Sequence, residues 1–364
     1  MVSRLFLLTP FLAVFLILSP LAGVLAAAGN SDETASTYLQ QHVHKLGEYD
    51  EESGFFQSIA TTVDSPIFKE KSQYQDIEIH KSKFYGKILV LDGVLQLTER
   101  DADAYNEMLV HVPMFQHPNP KRVLIVGGGD GYVLSEVLKH PSVEHVDHVD
   151  LDGEVIEVCK KYFPWGKAWD DPRVKLHVTD GAAFVRNAPS GKYDVVIQDS
   201  SDPFKSTEDG EKVELPSRVL YQKSHFDNML RILTPDGVLN FQAETFALPS
   251  DLEGIIDWRQ QLLQLGFSSV KYGTLYISSY PTGQIGFLLC EKSPKDASKP
   301  KVVKSRYQKL LESGHETTYY HPRLQRSAFD LPLWVHKAIY GSTESMNSVC
   351  FNADITEDGE SDIV

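Results

Sequence analysis

Residues 122–132 read Arg-Val-Leu-Ile-Val-Gly-Gly-Gly-Asp-Gly-Tyr, an apolar run that passes directly into a glycine loop carrying one carboxylate. Val123 to Val126 suit a parallel strand covered on both faces. Gly127, Gly128, Gly129 and Gly131 let the backbone turn tightly and come close to a ligand. The pattern from Val133 to His140 predicts a helix, so the loop lies at its positive end. Asp130 argues against a phosphate cradle, because a carboxylate repels the anion that a helix end attracts. The ligand expected here carries hydroxyls or a positive charge.

The reading outward from this loop finds the same device three more times. His148-Val149-Asp150-Leu151-Asp152 ends the next apolar strand with an acid, at the spacing of a ribose-binding carboxylate. Val174 to Gly181 ends a third strand in Asp180-Gly181, and Tyr193 to Pro203 ends a fourth with Asp199 and Asp202. Taken singly, each acid is a helix cap or a solvated strand end. Four in phase with a βαβ repeat instead define the crevice at the carboxyl ends of an open α/β sheet. The fold class expected is α/β, a Rossmann-like methyltransferase-type sheet that binds a nucleoside rather than a dinucleotide.

Composition narrows the partners. The chain has 364 residues and a formal net charge of −15, which suits small cationic ligands and argues against a nucleic-acid binder. Cys159, Cys290 and Cys350 show neither metal-ligand spacing nor a disulfide framework. Arg4 followed by the apolar run Leu5 to Ala28 reads as a secretory signal peptide over residues 1–28, cut near Ala26 to Ala28. It is also long enough for an uncleaved membrane anchor. The protein is therefore expected in the secretory pathway, secreted or organellar. Residues 29–53 read as an acidic linker with a helical stretch around Thr37 to Leu46. Residues 54–113 alternate apolar and polar positions, with turn signals at Tyr85-Gly86 and Asp92-Gly93, and read as a small N-terminal antiparallel β domain. Residues 114–340 form the Rossmann-like domain, and the acidic tail 341–364 reads as disordered. Within the α/β domain, Phe204 to Arg218 is a polar loop, either a surface insertion or an acidic lid.

Several ordered motifs carry a family resemblance over roughly residues 50–340. They are Ser72-Gln73-Tyr74-Gln75-Asp76-Ile77, Leu95-Gln96-Leu97-Thr98-Glu99-Arg100-Asp101, the Gly127 to Gly131 loop, Asp199-Ser200-Ser201-Asp202-Pro203, Gln242-Ala243-Glu244 and Tyr280-Pro281-Thr282-Gly283-Gln284. The chain resembles the spermidine synthase type of polyamine aminopropyltransferases. That resemblance implies transfer of the aminopropyl group of decarboxylated S-adenosylmethionine, a co-substrate, to putrescine. It implies no metal and no cofactor, small-molecule amine and nucleoside partners, and a homodimer or homotetramer. It makes Asp199 the catalytic base and Asp202 a holder of the incoming amine. Asp130 would hold the ammonium end of the aminopropyl chain, and Asp150 the ribose hydroxyls. Asp180 and Gly181 match the adenine side, Gln75 and Tyr105 contact the nucleoside and aminopropyl group, and Tyr280 lines the amine channel with Gln242 nearby. Phe55-Phe56, Asn106 and Phe246-Ala247-Leu248 depart from the family around the amine, where relatives carry larger aromatic groups or glutamine and histidine. Aminopropyl transfer to a longer amine, N-methyl transfer from S-adenosylmethionine, and a secreted non-catalytic polyamine binder are the alternatives.

Overall fold

The computed structural model describes residues 43–50, 55–62, 66–206, 212–293 and 300–341. The chain divides into Met1–His44 and Lys45–Val364, and all but the first two described residues fall in the second unit. The signal or anchor reading, most of the linker and the acidic tail lie outside the described residues.

Two strands, β1 (Val43–Asp50) and β2 (Phe55–Thr62), pair with each other. The helical reading of 37–46 is therefore corrected at its end, since Val43 to Leu46 belong to β1, which pairs as a strand with β2. An antiparallel meander follows: β3 (Phe68–Lys71), β4 (Asp76–Ser82), β5 (Gly86–Leu91) and β6 (Val94–Thr98). Asp92 and Gly93 join the last two with φ of 50° and 82°, the two-residue turn whose twist matches a hairpin.

Helix α1 (Ala102–Gln116) comes next, so the domain boundary read at 113/114 falls inside a helix. The reason is that α1 is buried on nearly every side and shows none of the polar–apolar alternation that marks a surface helix. Its apolar face packs on the sheet. Its other face carries Glu107, which accepts the amides of Thr318, Tyr319 and Tyr320 at 2.6–2.8 Å, and His111, which faces His140 and Glu136.

The α/β portion then runs β7 (Arg122–Gly127), α2 (Tyr132–Leu138), β8 (His145–Asp150), α3 (Gly153–Tyr162), β9 (Val174–Val178), α4 (Gly181–Asn187), β10 (Tyr193–Asp199), β11 (Phe204–Ser206), β12 (Lys212–Glu214), α5 (Lys223–Ile232), β13 (Leu233–Ala243), α6 (Pro249–Leu265), β14 (Ser269–Tyr276), β15 (Gln284–Glu291), α7 (Pro300–Glu312), α8 (Pro322–Ser327) and α9 (Leu333–Tyr340). Seven strands make one sheet in the order β14-β15-β13-β10-β7-β8-β9, with β15 antiparallel to both its neighbours. Alternate residues of β7 feed opposite cores. Val123 and Ile125 join the cluster around α1, while Leu124 and Val126 join the one containing Phe226 and Ile255. Both faces are covered, which is why these strands read as unbroken apolar runs. Each fully buried Val, Leu or Ile contributes ~1.5–3 kcal/mol. A third cluster seats Ile77, Ile79, Leu89 and Leu97 of the meander on Val155, Val158 and Cys159 of α3. The segment read as an irregular polar loop is partly a hairpin, β11 pairing antiparallel with β12.

Candidate active site

The sheet reverses its winding where β7 lies between β8 and β10, and a crevice opens there at the carboxyl ends of the strands. Gly127 lies opposite Asp199 in the β7–β10 pairing, and the amide of Gly128 donates to the Asp199 carbonyl at 2.7 Å. Gly127 has a φ of +82°, and a Cβ there would stand 2.0 Å from that carbonyl oxygen, so only glycine fits. A Cβ on Gly129 would stand 2.8 Å from the Asp150 carboxylate. Two backbone approaches thus draw Asp199 and Asp150 to the loop that carries Asp130.

The crevice is a cavity of about 310 Å³. Nine carboxylates line it, and no lysine, arginine or histidine is among its described lining residues. The electrostatic consequence is large. Burial pushes Asp199 up to about 7, with the charges of Asp130 and Asp150 adding to it. Burial takes Asp130 up to about 7. Asp150 also reaches about 7, from burial and then the charges of Asp152 and Asp130. Asp202 is raised by burial as well. Carboxyls crowded without a counter-cation hold protons, and a cationic ligand would relieve all four.

The sequence-predicted residues meet in this cavity: Gln75, Tyr105, Asp130, Asp150, Asp180, Gly181, Asp199, Asp202, Gln242 and Tyr280 all line it, as do Gly127, Gly128 and Gly129. Gly131 does not; it lies against the ring of Trp169. The Tyr105 hydroxyl donates to Asp199 Oδ1 at 2.7 Å, leaving Oδ2, which faces Gly128. Gln242 Nε2 donates to Asp202 Oδ1 at 2.9 Å. The Tyr280 hydroxyl donates to the Gln96 carbonyl at 2.6 Å, with its ring 6.1 Å from that of Tyr105. Asp180 also caps α4, accepting from the amides of Ala182 and Ala183.

Gln75 reaches the site through a residue the motif reading passed over. Its Nε2 donates to Asp152 Oδ2 at 2.9 Å, where Ser72 Oγ also donates at 2.6 Å, and Asp152 caps α3. Glu244 and Asp251 also line the cavity beyond Asp202. Glu244 stood inside the quoted Gln-Ala-Glu motif, whereas Asp251, a lone acid in the first turn of α6, gave no signal. Asn106 lines the cavity too, donating to the Ala102 carbonyl at 2.9 Å. Phe246 and Ala247 are not among the described lining residues. Phe246 instead meets Trp334 edge-on at 5.8 Å, and Thr245 faces the cavity in its stead. The side chains of Phe55 and Phe56 lie outside those described.

Known proteins resemble this chain in sequence and in fold. Residues 102–300 match the spermine/spermidine synthase domain, and residues 49–99 the spermidine synthase tetramerisation domain. The chain is 41% identical to spermidine synthase 2 of Arabidopsis thaliana over 281 residues, covering 76% of this chain and 79% of that protein. It is 40% identical to the spermine synthase of the same plant over 280 residues, covering 76% of this chain and 74% of that protein. Among solved structures, spermidine synthase in complex with the transition-state analogue AdoDATO aligns with a TM-score of 0.70 at 30% identity, covering 81% of this chain and 94% of that chain. The Thermotoga maritima spermidine synthase aligns with a TM-score of 0.68 at the same identity and coverage.

Proposed function

The chain belongs to the spermine/spermidine synthase family and is an aminopropyltransferase, and from that premise we propose that it converts putrescine and decarboxylated S-adenosylmethionine into spermidine and 5′-methylthioadenosine. The observation that carries this reading is a cavity lined by nine carboxylates and no described basic side chain, suited to two cationic substrates that repel each other. Carboxylates around them screen that repulsion while the reacting atoms are held in line.

The amine must lose a proton before its nitrogen lone pair can attack the methylene carbon beside the sulfonium. Asp199 takes that proton. Tyr105 occupies Oδ1, so Oδ2 is the accepting atom. The cationic substrates relieve the crowding that holds Asp199 protonated in the empty site, so it meets the amine as a carboxylate able to take its proton. As the new C–N bond forms, the C–S bond breaks and sulfur keeps the electron pair, leaving a neutral thioether. Asp202, oriented by Gln242, holds the acceptor, and Tyr280 walls its channel. Asp130 holds the ammonium of the aminopropyl chain, Asp150 the ribose hydroxyls, and Asp180 with Gly181 the adenine side. Gln75 supports the nucleoside end through Asp152. The reaction calls on no metal or cofactor.

A second reading, transfer to a longer amine, is favoured by Glu244 and Asp251, which extend the acidic lining past Asp202. Both readings meet one test. Putrescine, cadaverine and spermidine are each supplied with decarboxylated or intact S-adenosylmethionine, and products are identified by mass spectrometry. Spermidine formed from putrescine is the expected result. Spermine from spermidine alone would overturn the acceptor, and N-methylputrescine would overturn the transfer itself. The tetramerisation-domain match supports an oligomer. The apolar run Leu5 to Ala28 directs the chain into the secretory pathway, which N-terminal sequencing of the native protein tests.

A further inference from the structure

The glycine loop is gripped from below by a short helical turn, Pro164–Asp170, that contributes nothing to the cavity wall. Trp165 Nε1 donates to the backbone carbonyl of Asp130 at 2.8 Å. Its indole lies in a stack between Tyr132, 4.3 Å away and 7° from parallel, and Phe163, 4.9 Å away and 14° from parallel. Tyr132 is fixed in turn by its hydroxyl to Asp103, and its amide donates to Asp130 Oδ1 at 2.7 Å.

Trp169 grips the other end. Its Nε1 donates to His148 Nδ1 at 2.9 Å, and His148 Nε2 donates to the Gly127 carbonyl at 2.8 Å. The chemistry fixes this tautomer. An indole N–H can only donate, so Nδ1 must accept, and a neutral imidazole then carries its one hydrogen on Nε2 for the carbonyl. His148 is fully buried, and that burial holds it down at about 4, hence neutral. The ring of Trp169 also fills the space where a side chain on residue 131 would stand, 2.3 Å from an ideal Cβ.

We propose that Trp165 and Trp169 are positioning residues for the aminopropyl donor: by holding the carbonyls of Asp130 and, through His148, of Gly127, they set where the Asp130 carboxylate meets the donor's ammonium group. The inference rests on the proposed reading of Asp130. Neither tryptophan touches the substrate. Their effect is confined to a ligand that carries the ammonium, which is what separates positioning from bulk stability.

The test is calorimetric titration of Trp165→Phe, Trp169→Phe and Asp130→Asn with decarboxylated S-adenosylmethionine and with 5′-methylthioadenosine, which lacks the ammonium. Phenylalanine keeps a flat aromatic ring but removes the N–H donor together with the second ring of the indole, a packing loss that would be felt by both ligands alike. One lost hydrogen bond corresponds to about three- to tenfold. The tryptophan variants are expected to lose that much affinity for the donor and less than about twofold for the product. Equal losses on both ligands, or none on either, overturn the inference. His148→Gln and His148→Leu carry the test if Trp169→Phe does not fold. Glutamine retains an N–H for the Gly127 carbonyl and is expected to bind the donor severalfold tighter than leucine; equal affinities count against the proposal. Asp130→Asn separates the two levels. If it fails to discriminate the ligands, the reading of Asp130 falls and the inference with it. If it discriminates while the tryptophan variants do not, only the inference falls.

Discussion

Strand β8 carries two aspartates three residues apart, and they live in opposite electrostatic worlds. Asp147 is satisfied on every side: Lys192 Nζ and the Tyr193 hydroxyl each meet Oδ2 at 2.7 Å, and His177 Nε2 meets Oδ1 at 2.8 Å. Its carboxyl is held well below the ordinary range by these partners, which outweigh its burial. Asp150, at the end of the same strand, meets no cation among the described residues and is pushed up by burial to about 7. Strand β10 repeats the contrast. Asp194 near its start accepts the amides of Lys121 and Arg122 at 2.9–3.0 Å, while Asp199 at its end sits among carboxylates. The lower half of the sheet neutralises its own charges. The upper edge leaves them for a ligand, which is how a binding site differs from a structural ion pair built from the same residue type.

Four measurements press on that contrast. The largest effect is expected from Asp199→Asn, which keeps the shape and the Tyr105 contact but cannot accept the amine's proton. Turnover should fall by ~10²–10⁴-fold with nucleoside binding nearly intact, as steady-state kinetics beside calorimetry would record. Near-wild-type turnover removes Asp199 from the chemistry.

Next in size is Asp150→Asn. A hydrogen bond to a charged group contributes ~1.5–3 kcal/mol, so affinity for donor and product alike should drop about 10- to 100-fold. A loss confined to one of the two nucleosides would contradict a ribose contact.

The matched change on the same strand, Asp147→Asn, should act on the fold and spare the affinity. The expected cost is about 1–2 kcal/mol of unfolding free energy, kept modest because Lys192 is partly exposed. Denaturant unfolding and nucleoside titration of one preparation decide it. A weakened affinity with an undisturbed midpoint would erase the distinction between the two halves of the sheet.

The smallest effect is a pH dependence with opposite signs at the two ends. Asp130, Asp150 and Asp199 have folded values near 7, above the ordinary value of 3.8. Their contribution to the stability of the empty protein is full below that ordinary value and is lost as pH rises through about 7. Asp147 is depressed instead, so its contribution is present above 3.8 and is lost as pH falls through its folded value. The ligand-free protein should therefore melt lower at pH 8 than at pH 6, and the donor should flatten that slope. Binding near pH 7 should release on the order of one proton, read from calorimetry in buffers of different ionisation enthalpy. No release would show the carboxyls already ionised in the empty site.

The upper edge was legible in the sequence because its signals are local. A strand that runs into Gly-Gly-Gly-Asp-Gly, or ends in Asp-Ser-Ser-Asp, announces both its secondary structure and its chemistry within a dozen residues. What stayed hidden depends on distant partners. Asp152 joins the site through Gln75 and Ser72, 77 and 80 residues earlier in the chain. Helix α1 concealed its extent because a segment buried on both sides loses its periodicity, and the β11–β12 hairpin is too short to alternate. The two tryptophans gave no signal, since nothing local reveals that an indole N–H ends on a loop carbonyl.

The three amides received by Glu107 belong to residues 318–320, a segment with neither helix nor strand. Protection against hydrogen–deuterium exchange usually follows secondary structure, but here one carboxylate should supply it. Thr318, Tyr319 and Tyr320 should exchange with solvent as slowly as strands of the central sheet, making an irregular stretch of chain part of the molecule's slowest-opening unit.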